Sequence, residues 1–197
     1  QYFGHLIICD EVKTDAKQTI TELKKLGIKK SIMLTGDHEK VGKKIAEELG
    51  IDEVHSELLP QDKVNELENI LAKKSAKGKV LFAGDGMNDT PVLALADIGI
   101  AMGGLGSDAA IEAADIVIMN DEPRKIISAM QIAKKTRKIV LQNIILALGV
   151  KAVFLILGAF GVATMWEAVI SDVGVTLLAV LNALRILNTK NTFKNIP

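Results

Sequence analysis

Apolar and polar positions follow two different patterns along the chain, with a change near residue 122. Before that point, short continuous apolar runs alternate with stretches whose apolar residues recur at helical spacing, such as Ala16, Ile20 and Leu23. The predicted strands are 5–10, 30–35, 79–84, 98–102 and 115–119, and the predicted helices are 14–26, 41–49, 60–71, 91–96 and 107–114. This alternation predicts an α/β fold with a Rossmann-type parallel sheet flanked by helices.

From Pro123 the pattern predicts a helix that runs into two long apolar stretches, 143–166 and 168–187. A helix rises about 1.5 Å per residue, so about 20 residues cross a hydrocarbon core of roughly 30 Å. Both stretches reach that length, which predicts a transmembrane helical hairpin with a turn near Thr164 to Glu167. A buried hairpin of a soluble core is the alternative, although helices apolar on all sides are rare in so small a chain. The expected segments are a first domain at 1–122, a basic connecting helix at 123–142, and the two spans with a short tail at 143–197.

Composition and charge narrow the classes of function. The formal net charge is +0 and aromatic residues make up 4% of the chain, so it lacks the basic, aromatic face typical of proteins that bind nucleic acid. Its one cysteine, Cys9, excludes an internal disulfide framework and a zinc site built from cysteines, and it is expected in the core of the first strand. Within 139–184 the ionisable side chains are Lys151, Glu167 and Asp172.

Basic residues flank the outer ends of the two apolar stretches, and none lies in the turn between them. They are Lys134, Lys135, Arg137 and Lys138 before the pair, and Arg185, Lys190 and Lys194 after it. By the positive-inside bias, both ends of the hairpin are predicted to be cytoplasmic and the turn to lie on the far side of the membrane.

The most specific motif is Gly-Asp-Gly-Met-Asn-Asp-Thr-Pro at 84–91, which follows a predicted strand. Asp85 and Asp89 offer hard oxygen ligands of the kind that Mg²⁺ prefers, on a turn that the glycines allow to bend sharply. Asn88 can hold the loop or a ligand, because its amide both donates and accepts hydrogen bonds. We therefore expect a magnesium site at the carboxyl end of this strand, where ligands bind in parallel sheets.

Two further motifs suggest that the ligand is a phosphoryl group. Thr35, Gly36 and Asp37 follow another strand and offer a hydroxyl and free backbone N–H groups just before a helix, a ready anion site. Lys63, near the start of the helix that Pro60 opens, can supply compensating positive charge. Taken singly, each of these two motifs also has an ordinary explanation as a turn or a solvated lysine.

The order of these motifs resembles the phosphorylation domain of P-type ATPases, which belongs to the haloacid-dehalogenase-like phosphotransferases, and the resemblance covers essentially the whole chain. It implies that Asp85 ligates Mg²⁺ with support from Asp89, and that Asn88 orders the loop. It further implies that Thr35 and Gly36 contact the phosphoryl oxygens, that Asp37 holds their loop and that Lys63 neutralises charge. Asp10 matches the point at which the family's chain returns from its nucleotide-binding insertion.

The sequence also departs from the family's pattern. The family's nucleophile is the aspartate of an Asp-Lys-Thr-Gly-Thr string, and no such string occurs here. The resemblance implies ATP as a substrate that binds to a domain outside this chain, and it implies partners in an actuator domain and further transmembrane helices. We therefore expect that the chain alone neither forms a phosphoenzyme nor transports.

The ionisable side chains of the two spans are costly in a bilayer and by default indicate function. Asp172 is a hard oxygen ligand for a divalent cation and Lys151 a counter-charge for the empty site, although a structural Lys–Asp pair is the alternative. A hairpin is expected to place the two at somewhat different depths, and Gly174 is expected to allow close approach of the helices. Lys151 and the Asp172-Val173-Gly174 string are similar to those of P-type ATPases that export zinc, cadmium or lead. Copper-transporting relatives use other residues at these positions. The resemblance also implies soft Cys-Pro-Cys ligands, which would lie outside this sequence.

The leading hypothesis is therefore an ATP-driven exporter of divalent heavy-metal cations, of which this chain is the C-terminal part. Its expected location is a prokaryotic plasma membrane, with the lipid bilayer and the rest of the pump as partners and no nucleic acid. The alternatives are a membrane-anchored haloacid-dehalogenase-like phosphatase, a copper-type pump, or a non-catalytic assembly or regulatory fragment.

Overall fold

A computed structural model describes residues 12–84, 88–103, 108–120 and 122–187. The chain forms two compact units, 1–127 and 128–197. In the described residues the strands are β1 (Ile32–Leu34), β2 (Glu53–His55), β3 (Leu81–Gly84), β4 (Ile98–Met102) and β5 (Ile116–Ile118). The helices are α1 (Ala16–Lys25), α2 (Glu39–Leu49), α3 (Pro60–Lys73), α4 (Thr90–Leu95), α5 (Asp108–Ala113), α6 (Arg124–Ala159) and α7 (Met165–Leu184).

The strands pair in parallel, as the alternation with helices predicts. β1 pairs with β2, and β4 lies between β3 and β5 in a second set. The predicted α/β class is confirmed, with helices connecting parallel strands and two long apolar helices following them. The sequence pattern missed β2, because its three residues are Glu53, Val54 and His55 and carry no apolar run. The predicted strand at 5–10, with Cys9 and Asp10, lies outside the described residues.

The core of the first unit surrounds β4, the central strand of its set. Ile100 is fully buried and Ala101 nearly so. On one side Leu93 of α4 and Ala110 of α5 pack against Ala101, and on the other Ile118 and the first turn of α6 pack against Ile100. The apolar strand residues are therefore covered on both faces, which explains their continuous hydrophobic pattern.

One device recurs at the amino-terminal edge of both strand sets: an aspartate placed just before a strand binds the backbone of its neighbour. Asp52, before β2, accepts the Ser31 N–H at 2.7 Å, and Asp97, before β4, accepts the Val80 N–H at 2.9 Å. Asp115, before β5, accepts the N–H of Gly99 at 2.9 Å. Each bond fixes which residues of the two strands lie side by side.

Lysines reinforce two of these aspartates. Lys24 reaches Asp52 at 2.6 Å, and Lys74 and Lys79 reach Asp97 at 2.5 and 2.9 Å. The hydrogen bonds from Lys74, the Val80 amide and Lys79 hold the pKa of the Asp97 carboxyl well below its usual range. The ionised form of Asp97 therefore stabilises the folded state.

We predict that Asp97→Asn lowers the midpoint of thermal unfolding at pH 7 and flattens its pH dependence. A carboxyl whose pKa is lowered by folding contributes stability above its ordinary pKa of about 4, and that contribution is lost as the pH falls below this value. Near-UV circular dichroism of the detergent-solubilised chain between pH 7 and 3 measures the effect, with Glu68→Gln, an exposed acid on α3, as the control. Parallel pH curves for wild type and Asp97→Asn would contradict this account.

In the second unit, α6 runs without a break to Ala159, and residues 160–164 form the turn to α7. The turn therefore begins before the predicted position at Thr164 to Glu167. Gly161 adopts a φ of +71°, a left-handed conformation that favours glycine and ends the helix, even though apolar residues continue through the turn. Thr164 and Glu167 instead start α7, where the Glu167 carboxylate accepts the Thr164 N–H at 2.8 Å.

Candidate functional site

The Thr35-Gly36-Asp37 loop is a closed turn at the carboxyl end of β1. The Thr35 hydroxyl donates to the Asp37 carboxylate at 2.7 Å, and the Asp37 N–H donates back to that hydroxyl oxygen at 3.1 Å. A side chain at Gly36 would come within 3.3 Å of the Leu58 carbonyl oxygen, so the backbones approach closely there. Asp37 thus fixes the conformation of Thr35.

The prediction that the backbone N–H groups of this loop are free is wrong for two of its three residues, Thr35 and Asp37. The Thr35 N–H donates to the carbonyl of His55 at 2.9 Å, and the Asp37 N–H is bound to Thr35 as described. The helix that follows is capped by His38, whose ring nitrogen accepts the Lys40 N–H at 3.3 Å. The short polar side chain of Thr35 competes for the loop's own backbone, which sequence spacing alone does not reveal.

Sequence analysis missed Glu57, which lies in the segment after β2 and holds this loop in place. Its N–H donates to the Asp37 carbonyl at 2.9 Å, and its carboxylate lies 3.4 Å from the His38 ring. Glu57 has a φ of +60°, which is uncommon for a residue other than glycine. A glutamate gives no sequence signal for that conformation, so only the structure identifies it.

The same connection leads from the loop to α3. The Leu58 N–H donates to the Thr35 carbonyl at 3.1 Å, and Leu58 is followed by Leu59, the N-terminal cap of α3. Pro60 begins the helix, where its missing N–H and fixed φ are favourable. Lys63 therefore projects from the first turn of a helix whose start is bound to the Thr35 loop.

Lys63 and Asp89 form an ion pair that is largely shielded from solvent. The Lys63 ammonium lies 2.8 Å from an Asp89 carboxylate oxygen, and the two side chains are 16% and 11% exposed. Asp89 caps the start of α4, and its other oxygen faces Gly84 at the end of β3. A side chain at Gly84 would lie 2.9 Å from that oxygen, so only glycine leaves space for the carboxylate.

The structure thus brings together part of the set that the sequence predicts. Lys63 contacts Asp89 directly, and Thr35, Gly36 and Asp37 are bound to the segment that starts α3. Asn88 lies in the turn just before Asp89 and is exposed. Asp85, the predicted magnesium ligand, lies outside the described residues.

The donor chemistry of the described part fits a hard cation. Asp89 is a shielded carboxylate in a space that Gly84 keeps open, and oxygen ligands of this kind suit Mg²⁺. One Asp89 oxygen is already paired with Lys63, so Asp89 alone does not supply a full ligand set. Across the described ranges, no group of three or more His, Cys, Asp or Glu residues is arranged to hold a metal ion.

Among the described residues, α6 and α7 are the two helices long and apolar enough to cross a membrane, judged by length and composition. Their apolar side chains are largely exposed, including Leu155 and Ile170, each 68% exposed. This arrangement fits an integral membrane protein, because a bilayer rather than water would cover such a surface.

Asparagine side chains that the sequence analysis overlooked join the two helices of the hairpin. The Asn182 amide donates to the Asn143 side-chain oxygen at 2.8 Å, and the Asn143 amide donates to the Ala179 carbonyl at 3.1 Å. We call these bonds the asparagine clasp. The sequence does show one asparagine side chain near the outer end of each apolar stretch, which could have indicated a contact. It does not show that Asn143 and Asn182 face each other.

The clasp defines the depths of the predicted transport residues. Lys151 lies eight residues beyond Asn143, about 12 Å along α6, and Asp172 lies ten residues before Asn182, about 15 Å along α7. Because the helices are antiparallel, Lys151 and Asp172 differ in depth by about 3 Å, less than one turn. No ion pair joins them in the described part of the chain, and both residues are exposed.

Two neighbours of Asp172 differ from expectation. The Thr176 hydroxyl donates to the Asp172 carbonyl at 2.8 Å, one turn back along α7. A side chain at Gly174 would meet nothing within 4 Å in the described structure, so α6 and α7 do not make the predicted close approach at Gly174. The asparagine clasp, rather than a small residue, is where α6 and α7 make a specific contact.

The chain is similar to known proteins over nearly its whole length. The haloacid dehalogenase-like hydrolase family matches residues 1–97. A cadmium, zinc and cobalt-transporting ATPase of Bacillus subtilis (strain 168) is 64% identical over 97% of this chain and 27% of its own length. A zinc-transporting ATPase of Synechocystis is 57% identical over 94% of this chain and 26% of its own.

A solved structure extends the likeness to three dimensions. The crystal structure of a zinc-transporting PIB-type ATPase in an E2·Pi state superposes on this chain with a TM-score of 0.82 and 39% sequence identity. The matched region covers 90% of this chain and 28% of the ATPase chain. The chain thus spans about a quarter of the length of the curated relatives that it matches.

We predict that Lys63→Met lowers the free energy of unfolding by about 3 kcal/mol, because it leaves the shielded Asp89 carboxylate without its counter-charge. The double variant Lys63→Met with Asp89→Asn should regain most of that loss. Denaturant unfolding of the detergent-solubilised chain measures both, with Lys73→Met, an exposed lysine of the same helix, as the control. Strictly additive losses in the double variant would show that the two side chains are not coupled.

Proposed function

We propose that this chain, which belongs to the heavy-metal-transporting P-type ATPases, carries the phosphate-handling part and two membrane helices of a pump that exports divalent cations. Because the chain spans about a quarter of its relatives, ATP-driven export is proposed for the longer protein. The proposal is carried by one observation: Asp172 and Lys151 lie at nearly the same depth in an apolar hairpin, and the same chain also contains the shielded Lys63–Asp89 ion pair. The cargo, on this proposal, is Zn²⁺, Cd²⁺ or Pb²⁺.

On the soluble side, the chain's own residues position a phosphoryl group. We assign Thr35 and Gly36 to contact with its oxygens, and Asp37 to holding the threonine hydroxyl in place. Lys63 brings positive charge to the carboxyl ends of the strands, where its ammonium offsets the charge of Asp89 and of the phosphate. Phosphoryl transfer depends mostly on such positioning and charge stabilisation, which these residues would provide to a nucleophilic aspartate supplied from outside this chain.

Asp85 and Asp89 would hold Mg²⁺ at this edge, with Asn88 ordering the turn between them. Haloacid-dehalogenase-like domains of P-type ATPases use Mg²⁺ and ATP in general. Mg²⁺ held by these residues would supply positive charge that offsets the charge of the phosphoryl group. Lys63 then has two tasks in our proposal: it pairs with the Asp89 carboxylate in a shielded position, and it limits the negative charge that the site presents to phosphate.

On the membrane side, we assign Asp172 as an oxygen ligand of the transported cation. A carboxylate on an apolar helix is costly unless it is used, and Lys151 at nearly the same depth can offset its charge when no cation is present. Softer ligands would come from helices outside this chain. The proposed partners are therefore the remaining transmembrane helices, the actuator domain, the nucleotide-binding domain with its ATP, and the lipid bilayer.

We also propose that the pump lies in a prokaryotic plasma membrane with both ends of the hairpin cytoplasmic. The support is the distribution of basic residues: α6 carries lysines and arginines before its apolar part, and Arg185 follows α7, whereas the turn at 160–164 has none. Such an asymmetry favours the orientation in which the turn is translocated.

A membrane-anchored phosphatase is the second candidate, because a hydrolase family matches residues 1–97. A phosphatase would use the same Thr35 loop and acidic turn, but it has no need of Asp172 or Lys151 in its anchor. Heavy-metal dependence separates the two: zinc-stimulated formation of an acyl phosphate in the full-length protein supports the pump, and zinc-independent release of phosphate supports the phosphatase.

We predict that Asp172→Ala lowers zinc-stimulated ATP hydrolysis by the full-length pump at least about tenfold. Loss of a residue that only supports a metal ligand costs about 10- to 100-fold in metal affinity or activity, and loss of a direct ligand should cost at least the lower of these amounts. Glu167→Gln is the matched control: it lies on the same helix and its amide oxygen can still accept the Thr164 N–H. Zinc stimulation that survives intact in Asp172→Ala would move the transport site elsewhere.

We predict that Asp85→Asn raises the Mg²⁺ concentration for half-maximal ATP hydrolysis at least about tenfold, since a ligand oxygen loses its charge. Titration of Mg²⁺ at saturating ATP and zinc measures the change. Asp108→Asn, an exposed acid at the start of α5, controls for the loss of a carboxylate. A wild-type Mg²⁺ requirement in Asp85→Asn would remove Asp85 from the site.

A further inference from the structure

In the asparagine clasp, the nitrogen and the oxygen of both side-chain amides take part in hydrogen bonds. The Asn182 oxygen accepts from the Arg185 guanidinium at 2.8 Å, and the Asn182 nitrogen donates to Asn143 at 2.8 Å. The Asn143 nitrogen donates in turn to the Ala179 carbonyl at 3.1 Å. A weaker contact runs from Asn182 to Gln142 at 3.4 Å. The result is one directed series of hydrogen bonds from Arg185 through both amides to the backbone of α7.

Such a series resists sliding of one helix along the other. In an apolar medium each amide group left without a partner is costly, and a shift by one turn would separate the interhelical donors, those of Asn182 and Asn143, from their acceptors on the other helix. Apolar contacts between helices are less selective, because one leucine or valine can replace another at the interface after a shift. The clasp is therefore suited to setting the register of α6 against α7.

Other features of the hairpin set the register poorly. Side chains built at Gly149, Gly158 and Gly174 would meet nothing within 4 Å, so no tightly fitting glycine contact is formed at these points. No residue of α7 is buried in the described structure. Near the turn, Phe154 and Leu157 of α6 line a cavity of about 600 Å³ with Ile170 and Ser171 of α7, so packing there is loose.

The same cavity confirms the register that the clasp implies. With Asn143 opposite Asn182, antiparallel helices place Phe154 opposite Ser171, and both line this cavity. In that register Val150 lies opposite Val175, and both are half-buried. Lys151 and Asp172 each lie about 80° around their helix from the clasp residue, given 3.6 residues per turn. Because the helices are antiparallel, these two rotations bring Lys151 and Asp172 to the same side of the hairpin.

We propose that Asn143 and Asn182 are positioning residues that lock the register of α6 and α7 and so hold Lys151 and Asp172 at one depth on one side of the hairpin. This inference rests on the proposed function, because it assigns the locked pair to the transported cation. The clasp touches neither the cation nor the phosphoryl group. It acts through the two helices on which Lys151 and Asp172 lie.

A cross-linking experiment on the membrane-embedded chain tests the lock without any metal. In a Cys9→Ser background, Val150→Cys with Val175→Cys reports the native register, and Val150→Cys with Ser171→Cys reports a shift by about one turn. We expect Asn143→Leu and Asn182→Leu to lower disulfide formation by the first pair and raise it for the second. Gln142→Leu, which removes the weaker neighbouring contact, is the matched control and should change neither yield.

A zinc titration of the full-length pump tests the consequence for the cation. We expect Asn143→Leu to raise the zinc KM roughly five- to thirtyfold, the range set by an interhelical amide contact, with little change in kcat. Asn143→Gln, which restores an amide, should recover part of the affinity. A purely structural role would instead lower kcat through the loss of active protein and leave the zinc KM unchanged.

The two experiments separate the inference from the function that it rests on. Unchanged cross-linking yields in both leucine variants would overturn the register lock, and a lost lock with an unchanged zinc KM would overturn its positioning role. A wild-type pump that zinc does not stimulate would overturn the exporter proposal and with it the role of the clasp in cation binding. Circular dichroism of each leucine variant confirms that its helices are intact before the yields are compared.

Discussion

The ion pair between Lys63 and Asp89 is the contact on which the candidate phosphate site depends. Each charge is largely shielded from water, and each would be costly to hold there without the other. The pair ties the start of α3 to the start of α4, and α3 is tied in turn to the Thr35 loop through Leu58. Two loops that follow β1 and β3, at the carboxyl ends of the two strand sets, are thereby held together. At the opposite edge, Asp52, Asp97 and Asp115 fix the strands, so that the functional edge stays free for a ligand.

Much of this arrangement follows from the sequence, because its elements have strong local signals. The alternation of apolar runs and amphipathic stretches predicts the parallel α/β class, and the length of the last two apolar stretches predicts the hairpin. The sequence fails to predict an element or a boundary where the local pattern of apolar and polar residues is weak. β2 is three residues long and two of them are polar. The end of α6 depends on Gly161 rather than on a change in polarity, since apolar residues continue through the turn.

The remaining features depend on residues far apart in the sequence. Lys63 and Asp89 are each recognisable, but their pairing joins positions 26 residues apart. Asn143 and Asn182 are 39 residues apart, and nothing local shows that they meet. The relative depth of Lys151 and Asp172 follows only once the turn and the clasp are known. The free N–H groups expected at the Thr35 loop were misjudged for a related reason, because a hydroxyl and a neighbouring strand compete for them.

The two units solve one physical problem with different chemistry. Burial of apolar surface drives association but does not by itself choose between neighbouring registers, because it is non-directional. Hydrogen bonds and ion pairs are directional and costly to leave unmade, so a few of them select one arrangement. In the soluble unit, aspartates next to water and lysines make this selection. In the hairpin, a charge deep in the bilayer would be far more costly, and two neutral amides serve the same purpose, with the charged Arg185 joining them from the C-terminal cap of α7. Deeper along the helices, Asp172 and Lys151 carry charge, and we propose that Asp172 binds the cation and that Lys151 offsets its charge.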